Sequence, residues 1–129
     1  VAQEFGLPLI YVRPSAKAHG TQSQIEGVVE SGQSVIVIED LVSTGNSSLV
    51  AVDALREAGC SVKGMVAIFS YNFDLAKKNF LDHKCPLVTL TDYEAVLEKA
   101  NESNYIQEAD LESLKEWRAS PSTWNPQTA

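Results

Sequence analysis

The chain has 129 residues, 44% of them hydrophobic, which is enough for one buried core. Its formal net charge of −7 argues against a nucleic-acid partner, since binding a phosphate backbone requires a surplus of Lys and Arg over the contact surface. No run approaches the roughly eighteen apolar residues of a membrane span and no basic, apolar leader opens the chain, so the expectation is a soluble cytoplasmic domain without a membrane partner.

In chain order, Val1 to Gly6 reads as the last turns of a helix with Gly6 as its stop. With no initiator Met ahead of it, this start is expected to belong to a longer protein. Leu7 to Val12 is a short apolar run of strand formers bounded by turn residues, which fits a buried strand and delivers Arg13 to its end. From Pro14 to Gly27 the pattern dissolves into Ser, Lys, His, Gly, Thr and Gln. That is longer than most connections in a compact domain, and loops of that length are usually functional or disordered. Val28-Val29 and Ser34 to Ile38 read as two more extended segments around a Ser31-Gly32 turn, making the polar stretch the tip of a hairpin-like arm. The four β-branched residues Val35 to Ile38 suit a central parallel strand covered by helices on each side.

Leu49, Val52, Leu55 and Ala58 recur at helical spacing and Gly59 follows as a stop, predicting a helix from Asn46 to Ala58. Val62 to Phe69 is the next strand, Phe73, Ala76 and Phe80 mark a short helix, and Pro86 to Leu90 is another strand. Thr91 to Glu94 reads as a capping box opening a further helix, and Glu108 to Arg118 as a last amphipathic helix on Leu111, Leu114 and Trp117. Strands alternating with helices predict an α/β fold, a parallel β-sheet flanked by helices with right-handed crossovers. The expected organisation is one core over residues 1–120 and a tail over 121–129. Cys60 and Cys85, far apart, are expected to be reduced and partly buried, and His83 to lie on the surface.

The chemistry concentrates at VIVIEDLVSTGNSS, residues 35–48. In open parallel sheets ligands sit beyond the carboxyl ends of the strands, and Glu39-Asp40 falls there. Gly45 permits close backbone approach, while successive N–H groups and a helix N-terminus supply partial positive charge for a phosphate without lysine. Ser43, Thr44, Ser47 and Ser48 add hydroxyl donors. Carboxylates near a phosphate need another target: they accept hydrogen bonds from a ribose diol and attract Mg²⁺ directly or through water. Acids and loop together suit a ribose 5-phosphate. The plainer alternative is a strand end and an ordinary helix start, where Ser, Thr, Asn and Asp are favoured anyway. A P-loop is excluded by the missing lysine and a dinucleotide fingerprint by the missing GxGxxG.

Val35 to Ser48 closely resembles the phosphoribosyl-pyrophosphate signature of type I phosphoribosyltransferases. Tyr11-Val12-Arg13, Ala16-Lys17-Ala18-His19-Gly20 and Ile25-Glu26-Gly27 look like the mobile catalytic loop of the orotate phosphoribosyltransferases among them, and the likeness runs from about Leu7 to Trp124. The resemblance implies transfer of ribose 5-phosphate from phosphoribosyl pyrophosphate to orotate with Mg²⁺, giving orotidine 5′-phosphate and diphosphate in pyrimidine biosynthesis. It implies catalytic roles for Lys17 (first), His19, Arg13 and Asp40. It also implies phosphoribosyl-pyrophosphate contacts from Arg13, Lys17, His19 and the run Glu39-Asp40-Leu41-Val42-Ser43-Thr44-Gly45-Asn46-Ser47, with Ser43 also touching orotate. No metal ligand is implied directly, the Mg²⁺ being held through substrate and water. Clustered cations fit charge that grows as diphosphate departs, and a closing loop would keep water from the reactive ribosyl centre.

In that family the loop reaches into the neighbouring subunit, which implies a homodimer with shared sites. This chain departs from one branch by having Pro14 where many members have lysine. It also has Ser70-Tyr71-Asn72 where some place an arginine for orotate's carboxylate. Members carry an N-terminal hood and a further diphosphate-binding loop that nothing before Val1 supplies, so the isolated chain is expected to be inactive and to bind orotate poorly. A transferase for a purine base and a non-catalytic nucleotide-binding relative are the alternatives. Lys17 and His19 argue against the second.

Overall fold

The computed structural model describes residues 1–14 and 24–125. A short helix α1 (Ala2–Phe5) ends on Gly6, which takes the left-handed conformation at φ 62° as the sequence predicts. Strands β1 (Tyr11–Val12) and β2 (Ile25–Glu26) pair antiparallel, with Tyr11 opposite Glu26 and Val12 opposite Ile25. They form the base of the expected hairpin. Two details differ from expectation. The first arm is two residues long rather than a buried strand from Leu7, and Leu7, Leu9 and Tyr11 are exposed. The second arm is Ile25–Glu26 instead of Val28-Val29. Among the described residues this ribbon hydrogen-bonds only with itself and meets the rest of the fold where β1 lies against α2, which leaves Leu7, Leu9 and Tyr11 at the surface.

The remaining chain alternates: β3 (Ser34–Val42), α2 (Asn46–Glu57), β4 (Ser61–Ser70), α3 (Asp74–Asp82), β5 (Leu87–Asp92), α4 (Tyr93–Glu102) and α5 (Glu108–Ala119). The three strands make a parallel sheet in the order β3-β4-β5. The α/β reading therefore holds, with helix ends within a residue or two of the predicted ones. The cap of α4 is Asp92, whose carboxylate accepts from the Ala95 amide at 3.0 Å, one residue beyond the predicted Thr91. A reciprocal capping box does occur, at the start of α5 between Gln107 and Asp110.

The core lies between the sheet and the pair α2/α3: Val42, Met65 and Ala67 from the strands meet Leu49, Val52, Ala76 and Phe80. Cys60 and Cys85 are both buried and free, as expected, and burial pushes the Cys85 thiol pKa up while Arg56 opposes it. His83 is half-buried rather than a plain surface residue. Its ring lies 3.6 Å from Asp53 on α2, and its carbonyl accepts from Arg56 at 2.7 Å. The opposite face of the sheet departs from expectation. Ile36 and Ile38 are each 52% exposed, and Ile68, Val88 and Leu90 are open as well. The helices that pack on the sheet core all come from one side, so alternate residues of β3 meet either a helix layer or no described layer.

Candidate active site

The sequence places β3, its following loop and the start of α2 at the carboxyl edge of the sheet. Gly45 is the N-cap of α2 at φ 82°, and no side chain caps that end. The first-turn amides of a helix have no carbonyl partner within it, so they and the positive end of the helix dipole are available to an anion. Gly45 could not be another residue without disturbance: a Cβ there would sit 2.6 Å from the Phe80 ring, and its φ is in the region that disfavours side chains. The loop is fixed from α3. Asn79 Nδ2 donates to the Thr44 carbonyl and to Asn46 Oδ1, both at 2.9 Å. Ser43, Asn46 and Ser47 are exposed, Thr44 is half-buried and Ser48 is buried.

The two acids separate. Consecutive strand residues project to opposite faces, and here Glu39 is half-buried on the helix-covered side, in register with Ala67, while Asp40 is exposed on the open side beyond Ile38. The Asp40 amide donates to Glu39 Oε1 at 3.3 Å, and the Leu41 amide to Asp40 Oδ1 at 2.7 Å. Glu39's carboxyl is held above its ordinary range, chiefly by burial; the Ser48 hydroxyl pulls it back and the neighbouring Asp40 adds to the rise. Asp40 is thus presented outward, while Glu39 turns toward Ser48 at the start of α2.

Arg13 sits at the base of the hairpin. Its guanidinium pairs with Glu26, through Nε at 2.7 Å and through Nη2, and its amide donates to the Gln24 carbonyl at 2.8 Å. Lys17 and His19, the other two cations of the predicted site, lie outside the described residues. Among the described residues no three metal-binding side chains cluster.

Beside the loop opens a cleft of ≈ 500 Å³ bounded by Ser43, Thr44, Asn72, Phe73 and, from the last turn of α5, Arg118. A second hollow of ≈ 620 Å³, between α3 and β5, includes neither Ser43 nor Thr44. Sequence reading missed Asn79 and Arg118. Both act through tertiary contacts to main chain, for which no local motif exists; the only hint was an arginine beside a tryptophan at the end of an amphipathic pattern.

The profile of the phosphoribosyl transferase domain matches residues 1–101. This chain belongs to that family. Among curated relatives, the domain is 52% identical over 124 residues to the orotate phosphoribosyltransferase of Bacteroides fragilis, covering 96% of this chain and 58% of that protein. This phosphoribosyl transferase domain thus spans about three fifths of the length of that relative. Among solved structures it resembles the orotate phosphoribosyltransferase of Aeropyrum pernix, with a TM-score of 0.67 and 33% identity over 76% of this chain and 54% of that one. It also resembles the UMP synthase of Leishmania donovani, with a TM-score of 0.72 and 28% identity over 91% of this chain and 25% of that one. The parallel sheet and its helices are the fold these structures share.

Proposed function

We propose that the protein carrying this domain is an orotate phosphoribosyltransferase: it joins a ring nitrogen of orotate to C1′ of phosphoribosyl pyrophosphate as the bond from C1′ to diphosphate breaks. The observation that carries the reading is the strand-end cradle, with its uncapped helix N-terminus, its buried glycine and an outward carboxylate, in a chain half-identical to a curated orotate phosphoribosyltransferase. The 5′-phosphate would sit on the amides at the start of α2 and the hydroxyls of Thr44 and Ser47. Asp40 would accept from the ribose hydroxyls beside the reacting carbon, and Ser43 would face the base. Leu41 and Val42 would contribute only as backbone rim. Arg13, Lys17 and His19 would come over the diphosphate, with Lys17 stabilising the charge that develops on departure.

Mg²⁺ fits as a cation that arrives on the substrate. Asp40, a single outward carboxylate, suits a contact through metal-bound water, and the ion would neutralise leaving-group charge. The domain division at 120, a homodimer with shared sites and a cytoplasmic location belong to the same proposal. No described helix is long and apolar enough to cross a membrane. The test is to give the full-length protein phosphoribosyl pyrophosphate, Mg²⁺ and one base at a time, following diphosphate release. Turnover with orotate is expected; turnover with adenine, guanine or xanthine but not orotate would reverse the assignment.

A further inference from the structure

We propose that Arg118 is the specificity-determining residue that grips the carboxylate of the acceptor base, which rests on the reading of orotate as that acceptor. Among the described residues lining the cleft beside Ser43 and Thr44, it is the sole cation. A guanidinium carries five N–H donors in a rigid plane. Two are committed: Nε donates to the Tyr71 carbonyl at 3.1 Å and Nη2 to the Asn72 carbonyl at 3.0 Å. The described hydrogen bonds therefore leave the Nη1/Nη2 end of the fork, whose parallel N–H groups match a carboxylate in bidentate geometry. The nearest acid there is Glu94, with Oε1 3.6 Å from Nη1, beyond hydrogen-bond reach, and its side chain is 72% exposed. Such an ion pair is weak and can be displaced by a better-placed anion.

The fork is held from behind. Trp117, the preceding residue, packs on Tyr71, Phe73 and Tyr93. Asn72, whose carbonyl fixes Nη2, adopts φ 57° and is itself tied down: its amide donates to Ser70 Oγ at 2.9 Å and its side chain to Asp92 Oδ2 at 3.0 Å. A cation fixed by two main-chain carbonyls on one edge, and lining the cleft next to the phosphate loop, is placed to read an anionic substituent on a planar ring. Lysine, a single point charge, could not hold both carbonyls and the ligand.

The test uses the full-length protein. In Arg118→Lys and Arg118→Met the KM for orotate should rise at least tenfold, while the KM for phosphoribosyl pyrophosphate stays within twofold. Uracil, the same ring without the carboxylate, should inhibit the native protein and both variants with inhibition constants within twofold of one another. An unchanged orotate KM, or equal losses for orotate, phosphoribosyl pyrophosphate and uracil, would overturn the role and leave Arg118 a structural brace. Should both variants misfold, Glu94→Gln decides: removing the competing carboxylate should lower the orotate KM, and no change overturns the proposal. If the native protein does not use orotate at all, the functional reading fails and takes this role with it. Native turnover with insensitive variants sinks the role of Arg118 alone.

Discussion

Glu39 is an acid whose surroundings work against its own ionisation. Its carboxyl is held above the ordinary value of 4.5, mainly by burial. A raised acid contributes stability that is fully present below that value and is lost as pH rises through the folded-state pKa. Ionised Glu39 is therefore a liability at neutral pH. Glu39→Gln keeps the contacts with Ser48 and the Asp40 amide but cannot ionise. Its stability relative to the native chain should increase as pH climbs above 4.5 and then level off. Urea titrations at several pH values check this, and a difference that is flat or falls with pH would refute it. The acidic pair was plain in the sequence, because a motif of adjacent residues is visible without a fold. Its division into one half-buried and one presented carboxylate also follows from strand alternation. What sequence could not supply is which face the helices cover.

At the scale of elements, α5 is where local pattern and function part company. Its apolar spacing at Leu111, Leu114 and Trp117 marked a helix correctly, yet no residue on it is fully buried. The helix is held instead by aromatic packing, with the Trp117 ring 5.3 Å from Tyr93 and 5.5 Å from Tyr71, and by the bonds from Arg118 to the loop after β4. Removing a large aromatic from a full core costs about 3–5 kcal/mol. At this half-buried position Trp117→Ala should cost roughly 2 kcal/mol by the same reasoning. Hydrogen exchange should then speed up along Glu108–Ala119 while the amides of β4 stay protected. Uniform acceleration over the whole chain would mean that α5 is integral to the core. None of this was legible beforehand, since Tyr71, Tyr93 and Trp117 come together only once β4, β5 and their helices are stacked. The strands of the parallel sheet were easy to read, since apolar runs bounded by turns, as in β3 and β4, carry their own signal, whereas the two-residue arms of the hairpin do not.

For the whole molecule, the sheet divides into a face closed by α2 and α3 and a face on which Ile36, Ile38, Ile68, Val88 and Leu90 stand open. A contiguous aliphatic surface of this kind favours association. This chain by itself is expected to self-associate at micromolar concentration, seen as a mass that grows with concentration in light scattering. Leu90→Lys, at a site 74% exposed, should reduce the association without lowering the melting temperature. A monomer at every concentration would contradict this. The sequence suggested helices on both sides because a continuous apolar run is compatible with either arrangement, and only the placement of the crossovers decides between them.

The side-chain amide of Asn79 reaches from α3 across to Thr44 and Asn46. The donors of the proposed phosphate site are thereby already aimed before a ligand arrives, and little disorder is left for binding to remove. Capture at this rim should accordingly behave like docking onto a rigid mould, rapid and with only slight rearrangement of the backbone.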